Sequence, residues 1–301
     1  YKGGYVVQLE DDMLTIRGIP KPTIPGKLYT EGTGYEGHGF LEASSIRRLN
    51  EKFYLIYSSE LGHELCYAVS DDPMGPFSYK GTIVSNGDVG LNGRDEADAV
   101  NYLGNNHGGL VAVDDELYIF YHRHTYGAQY SRQGCAEKVV LQKDGTIPQV
   151  EITSSGMSGK PWDAKGEYSA HLACYLRSKE GILHYSSSVK WCEPHPYIAL
   201  EGRDQVASTQ NSYVHNLQDG AACGFKYLDF AGDEKTVAVI CRGNFKGQIL
   251  VYLEEERRTL VAKIDVAPSE TWTVAEAKLA ETKGVCGLYF VFVGEGACDM
   301  D

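Results

Sequence analysis

Residues 44–57 and 108–121 are two copies of one hairpin. Aligned without gaps at an offset of 64 residues, they pair Ile46 with Leu110, Leu49 with Val113, Phe53 with Leu117, Tyr54 with Tyr118 and Tyr57 with Tyr121. Each copy reads as a strand, a three-residue polar turn and a more aromatic strand. A long-period repeat of antiparallel hairpins is the signature of β-propeller blades, because one blade cannot bury its apolar face alone. Other strand-like runs, such as Lys235-Thr236-Val237-Ala238-Val239-Ile240, recur along the chain between turn signals, and no segment keeps a helical period over three turns. The 34 glycines and 21 tyrosines suit a chain of short aromatic strands and tight turns. The expectation is an all-β protein.

A propeller closes with about four blades or more, and residues 1–150 hold two to three. They are expected to be the C-terminal blades of a propeller whose first blades precede Tyr1. Residues 151–195 read as a polar connector containing Ser154-Ser155-Gly156, Ser158-Gly159-Lys160-Pro161 and Glu193-Pro194-His195-Pro196. Residues 196–301 carry short strands split by Asp219-Gly220, Ala231-Gly232-Asp233 and Arg242-Gly243-Asn244, the pattern of a β-sandwich.

With 28 Lys and Arg against 41 Asp and Glu, the formal net charge of −13 argues against a nucleic-acid partner, which requires a basic patch to neutralise phosphates. No apolar run approaches the ~20 residues of a membrane-spanning helix. The first residues, Tyr1-Lys2-Gly3-Gly4-Tyr5, offer neither an initiator Met nor a signal-peptide core, so a processed chain or a piece of a longer one is expected and localisation stays open. The eight cysteines are dispersed without a C-x-x-C pair. They suggest buried free thiols rather than a zinc site or a disulfide framework.

The repeat also points to a site. In a propeller the first strand of each blade lines the central channel, so equivalent positions converge. Glu42 precedes the first hairpin, and the 64-residue offset maps it onto Asn106, with His107 adjacent. A carboxyl, an amide and an imidazole are therefore expected together, in a Gly-rich apolar setting that would raise a carboxyl pKa by desolvation, as a general acid requires. From spacing alone, a turn-capping carboxylate at the strand edge explains Glu42 equally well. Tyr57-Ser58-Ser59-Glu60 with His63-Glu64 lacks the G-x-S-x-G elbow of a nucleophilic serine. His171, His184 and His195 have no spaced partners and read as ordinary strand or loop residues.

Phe40-Leu41-Glu42-Ala43-Ser44-Ser45-Ile46-Arg47, followed by Tyr54-Leu55-Ile56-Tyr57-Ser58-Ser59-Glu60, Tyr67-Ala68-Val69-Ser70-Asp71-Asp72-Pro73, Asn105-Asn106-His107-Gly108 and Ser131-Arg132-Gln133, resembles the general-acid blade and succeeding blades of glycoside hydrolase family 43. The resemblance covers residues 1 to about 195. It implies a partial five-bladed propeller and hydrolysis of α-L-arabinofuranosyl or β-D-xylosyl linkages with inversion, on arabinoxylan, xylan or xylo-oligosaccharides of the plant cell wall. It further implies Glu42 as general acid, Asn106 and Arg132 as substrate-binding residues, and His107 beside a hydrated calcium ion. The family's base, an Asp on the first blade, and the Asp that tunes the acid precede the part of the pattern where this chain starts. Asp11-Asp12, Asp71-Asp72 and Asp114-Asp115 do not occupy channel positions. A second reading is therefore a non-catalytic carbohydrate-binding fragment.

Residues 213–230, with Cys241-Arg242-Gly243-Asn244 and the strand 247–253, resemble carbohydrate-binding module family 6, a jelly-roll sandwich. That resemblance implies a structural calcium held by Glu201 and Asp301, sugar stacking on Tyr213, and a truncated last strand. Trp272 reads as core or platform, and a module without sugar binding is an equal alternative. Arabinose and xylose as the departing sugar are not separated by sequence.

Overall fold

The structure of the protein, a computed structural model, describes residues 2–125, 128–182, 195–202 and 212–301. Residues divide into two compact units: Tyr1–Asn86 with Gly104–Arg123 and Gly134–Glu151, and Gly87–Leu103 with His124–Gln133 and Ile152–Asp301. The chain is all-β, as expected. Among the described residues helix is confined to three-residue 3-10 turns, and none is long and apolar enough to cross a membrane.

In the first unit β1 (Gly3–Leu9) pairs antiparallel with β2 (Ile16–Pro25). The strands β3 (Phe40–Leu49), β4 (Lys52–Ser59), β5 (Glu64–Ser70) and β6 (Ser78–Ser85) form a four-stranded antiparallel meander. The strands β7 (Gly109–Val113), β8 (Glu116–Thr125) and β9 (Ala128–Val139) form a second sheet. The aromatic halves of the repeat explain the layering. Strand β4 is buried along nearly its whole length and β5 likewise, whereas β3 alternates between covered and exposed positions. Buried tyrosines serve as core that carries its own polar handle. Tyr57 donates to the His38 carbonyl at 2.8 Å, Tyr35 to Phe77 O at 2.8 Å and Tyr54 to Gly145 O at 2.9 Å.

The two hairpins of the repeat share one turn. Leu49 pairs with Lys52 and Val113 with Glu116, so each loop has two residues, not the three expected. Both central residues are left-handed in each copy: Asn50 (φ 45°) and Glu51 (66°), Asp114 (47°) and Asp115 (65°). That is the type I′ turn, whose twist matches that of the flanking strands. The first strands of the copies also meet, because Arg47 Nε donates to Leu110 O at 2.9 Å. Gly108, just before the second copy's first strand, is required, since a Cβ there would lie 1.8 Å from the Phe120 carbonyl oxygen.

The second unit contains β10 (Trp162–Asp163), β11 (Tyr175–Arg177), β12 (Tyr197–Leu200), β13 (Ser212–Leu217), β14 (Ala222–Phe230) and β15 (Thr236–Gly243). It continues with β16 (Lys246–Tyr252), β17 (Leu260–Val266), β18 (Ser269–Lys278), β19 (Gly284–Glu295) and β20 (Cys298–Met300). One sheet runs β10-β14-β19-β16-β17, with β11 also on β14; the other runs β12-β13-β20-β15-β18. Phe225, Ile249, Ile264, Phe290 and Phe292 from the first sheet and Val214, Leu217, Val239, Cys241 and Met300 from the second join one apolar core. This is a β-sandwich, with each buried large side chain worth about 1.5–3 kcal/mol of transfer free energy.

The stretch read as a polar connector supplies β10 and β11 to this sandwich, both hydrogen-bonded to β14. Gly87–Leu103 groups with the sandwich as well. The Asp88 carboxylate takes the Lys226 ammonium at 3.0 Å, with both side chains 3% exposed, and accepts from Ile152 N at 2.8 Å. Sequence periodicity does not see such a link, because one buried Asp in a loop leaves no pattern. The final strand, β20, is three residues long and lies between β13 and β15. Cys66, Cys135, Cys174, Cys223, Cys241, Cys286 and Cys298 carry free thiols. Cys192 and His184 lie outside the described residues.

Candidate active site

Strand β3 enters its sheet irregularly. Phe40 pairs with Ser59, Glu42 with Ser58 and Ser45 with Ile56, so the register slips on both sides of Glu42. Ala43 takes a left-handed φ of 60°. A bulge of this kind bends the strand and re-aims a side chain without disturbing the ladder beyond it. Here it directs the Glu42 carboxylate to His107 Nε2, 2.9 Å away. The His107 ring stands edge-on to His122 at 5.4 Å. Of the three groups expected to converge, the carboxyl and the imidazole meet.

The surroundings differ from the expectation. The Glu42 side chain is 47% exposed and that of His107 41%, so the apolar setting foreseen for the acid is not provided by the described residues. Asn106 is a correction of another kind. It is fully buried, and its amide points inward: Nδ2 donates to Asn86 Oδ1 at 3.1 Å and His63 O at 3.4 Å, while Oδ1 accepts from His122 N at 3.3 Å. It fixes the loop that presents His107 and does not face a sugar. Arg132 lies exposed on β9, and one of its guanidinium nitrogens donates to Ser131 O at 3.4 Å.

A second carboxylate–imidazole pair was not foreseen. Glu64, at the start of β5, accepts from His38 Nδ1 at 2.7 Å and from Thr82 Oγ1 at 2.7 Å, and it also takes bonds from Ser59 and Cys66. Burial alone would raise its pKa, but the bonds to His38 and Ser59 and the His38 charge prevail and hold it at about 2. The hydrogen bond to Glu64 in turn raises the pKa of His38. His38 also stacks on Tyr79, with ring centroids 4.9 Å apart. The pair anchors the segment that leads into Glu42. The signal that reveals it is a charged residue opening an otherwise uniformly buried strand. The donor atoms of His38, Glu64 and Cys66 lie within 4.8 Å of one another, which no other group of three or more His, Cys, Asp or Glu ligand atoms does among the described residues.

Calcium takes six to eight oxygens, and the residues expected to hold it have partners of their own. His107 offers one nitrogen, and that atom is bonded to Glu42. Glu201 is paired with Arg242, and Asp301 accepts from Ser169 Oγ at 2.8 Å, so the two carboxylates serve different partners. Tyr213 is also placed differently from a free stacking surface. The Arg242 guanidinium lies 4.9 Å from its ring centroid and 4.3 Å from that of Trp272, and the two rings meet at 5.6 Å and 75°. Arg242 Nε bonds Asp299 at 3.1 Å, and Asp299 takes His215 Nδ1 at 2.6 Å. Arg242 reaches the two aromatics from a third strand, distant from both in sequence.

Comparison with known proteins places this arrangement. The family described as "Glycosyl hydrolases family 43" matches residues 2–147. A xylosidase/arabinosidase of Thermoclostridium stercorarium is 40% identical over 99% of this chain and 63% of its own length. An arabinoxylan arabinofuranohydrolase of Paenibacillus polymyxa is 26% identical over 99% of this chain and 44% of its own. The chain thus spans roughly half to two thirds of these relatives. Among solved structures, a family 43 arabinoxylan arabinofuranohydrolase from Bacillus subtilis in complex with cellotetraose covers 99% of this chain and 58% of that one, at 22% identity and a TM-score of 0.47. The segment that matches glycosyl hydrolase family 43, residues 2–147, contains both Glu42 and His107.

Proposed function

We propose that this chain carries the general-acid part of an inverting glycosidase that releases terminal α-L-arabinofuranosyl or β-D-xylosyl units from arabinoxylan and xylo-oligosaccharides. Glu42 protonates the departing glycosidic oxygen, and His107 orients its carboxyl through the 2.9 Å contact. That contact, inside the family-matched segment, is the observation that carries the reading. The names of the relatives, xylosidase/arabinosidase and arabinoxylan arabinofuranohydrolase, support the substrate class.

Inversion requires a second carboxylate ~6.5–9.5 Å from the acid to activate water. The aspartates of this unit that were weighed for that role serve turns and ion pairs. Asp12 accepts from Leu14 N and Thr15 N, Asp71 pairs with Lys52, Asp72 accepts from Met74 N, and Asp114-Asp115 forms the second I′ turn. These aspartates are therefore not the base. The exposure of Glu42 favours one alternative, a chain that binds carbohydrate without cleaving it.

Turnover of aryl α-L-arabinofuranoside and aryl β-D-xyloside by the chain, beside Glu42→Gln, decides between them. Glu42-dependent hydrolysis establishes the acid, and the better substrate names the departing sugar. Equal turnover by Glu42→Gln removes Glu42 from the role. A folded chain that binds xylo-oligosaccharide without turnover is the binding protein.

A further inference from the structure

The second unit contains a pocket of about 500 Å³ whose charge runs against that of the chain. The protein carries a net charge of −13, yet the pocket is lined by Arg94, Arg177, Lys179 and Arg257. Two of these cations are neutralised locally. Arg94 makes a fork of two 2.9 Å bonds to Glu255, and Lys179 pairs with Asp219 at 2.7 Å. Among the described residues, neither of the other two bonds a carboxylate. Arg177 donates to the carbonyls of Ala99 at 2.9 Å and Ala97 at 3.2 Å, which fixes its guanidinium and leaves its charge in place. Arg257 bonds the side chain of Tyr175, a residue 4% exposed and packed edge-on against Tyr289 at 5.3 Å.

A guanidinium held by neutral acceptors is a preorganised receptor for a planar anion. Such a pocket has room for a monosaccharide or disaccharide unit. Glu255 and Glu256 also line it, and they would oppose a doubly charged group while accepting bonds from hydroxyls. We propose that this pocket binds an acidic sugar, a hexuronate substituent on a xylan-type chain, with Arg177 and Arg257 taking its carboxylate. The proposal rests on the carbohydrate reading of the protein, and its site is separate from the Tyr213–Trp272–Arg242 cluster in residues and in ligand charge.

The test is calorimetric titration of the whole chain with glucuronosyl-xylotriose, xylotriose, free glucuronate and inorganic phosphate. The expected result is glucuronosyl-xylotriose binding at least about 10-fold tighter than xylotriose, the factor one charge-assisted contact supplies, with the difference shrinking in high salt. Arg257→Gln, an exposed loop change that spares the core, should abolish the preference, and Arg177→Gln should do the same. Trp272→Ala should leave it intact. Equal affinity for the acidic and neutral oligosaccharides overturns the proposal, as does a preference that survives Arg257→Gln. Phosphate binding as tight as glucuronate would show an unselective anion site and overturns it too. A failure of glycosidase activity would leave these binding differences unchanged, so the two readings fail separately.

Discussion

In the first unit, Glu42–His107 spans 2.9 Å with side chains 47% and 41% exposed, whereas Glu64–His38 spans 2.7 Å with exposures of 4% and 32%. Both pairs join a strand carboxylate to an imidazole on a loop. They differ in what else holds the carboxylate. Glu64 also has Ser59, Thr82 and Cys66, and its carboxyl is held well below the usual range. The Glu42 carboxylate sits on a bulge, with His107 as its recorded partner. A group that must gain and lose a proton at each turnover benefits from few fixed partners, and a group that anchors a segment benefits from many. Under the proposed function, chemistry and scaffolding fall to separate pairs.

That contrast can be broken in several ways. Glu42→Gln should reduce any aryl-glycoside turnover by about 10²-fold or more, the usual scale of general acid catalysis, with little change in denaturant midpoint. A large loss of stability in that variant would mean that Glu42 is scaffold as well. Glu64→Ala should behave in the opposite sense. It should cost about 3 kcal/mol in urea unfolding, because it strips a buried network of its acceptor. A cost below about 1 kcal/mol would show that the pair is dispensable.

Acidity sharpens the same distinction. The Glu64 pKa is lowered from 4.5 to about 2 on folding, so its stabilisation is present above pH 4.5 and is lost as pH falls from there towards 2. His38 is raised above 6.5, so its contribution is present below 6.5 and is lost as pH rises through its folded value. The pair stabilises most between pH 4.5 and 6.5. Glu64→Gln with His38→Asn should flatten the stability–pH profile of the chain on both sides of that window. An unchanged profile would assign the pH dependence to other groups.

Asn106→Ala should cost about 1–3 kcal/mol, since it leaves buried partners unsatisfied, and should lower turnover only through His107. Ready sugar-affinity loss without destabilisation would restore Asn106 as a ligand of substrate. The smallest effect concerns the repeat. Glu51→Gly should raise stability by about 0.5–1 kcal/mol, because Glu51 holds a left-handed φ of 66° that glycine adopts freely. Asp115→Gly should do the same in the second copy, and a gain in one hairpin alone would show that the turns are not equivalent.

Much of this was legible in the sequence for specific reasons. Strand period and turn residues point to the all-β class, and a gapless offset brings Glu42 and His107 together. What escaped was set by direction rather than position. Asn106 sits where the offset puts it, but its amide turns inward to Asn86 and His63. Tyr213 is on the strand expected, yet its neighbour Arg242 arrives from β15 and pairs with Glu201. The His38–Glu64 pair joins positions 26 residues apart whose relation depends on the sheet register alone.

The Asp88–Lys226 contact has a practical corollary for anyone dissecting the chain. A cut placed at the apparent boundary near residue 150 would separate the sandwich from Gly87–Leu103 and leave the Lys226 ammonium, 3% exposed, without that counter-charge. The same cut would remove the Ala97 and Ala99 carbonyls that hold Arg177. An excised module would then fold poorly for electrostatic reasons that its own sequence does not reveal. Boundaries for such pieces belong where the charges are balanced, not where the polar residues cluster.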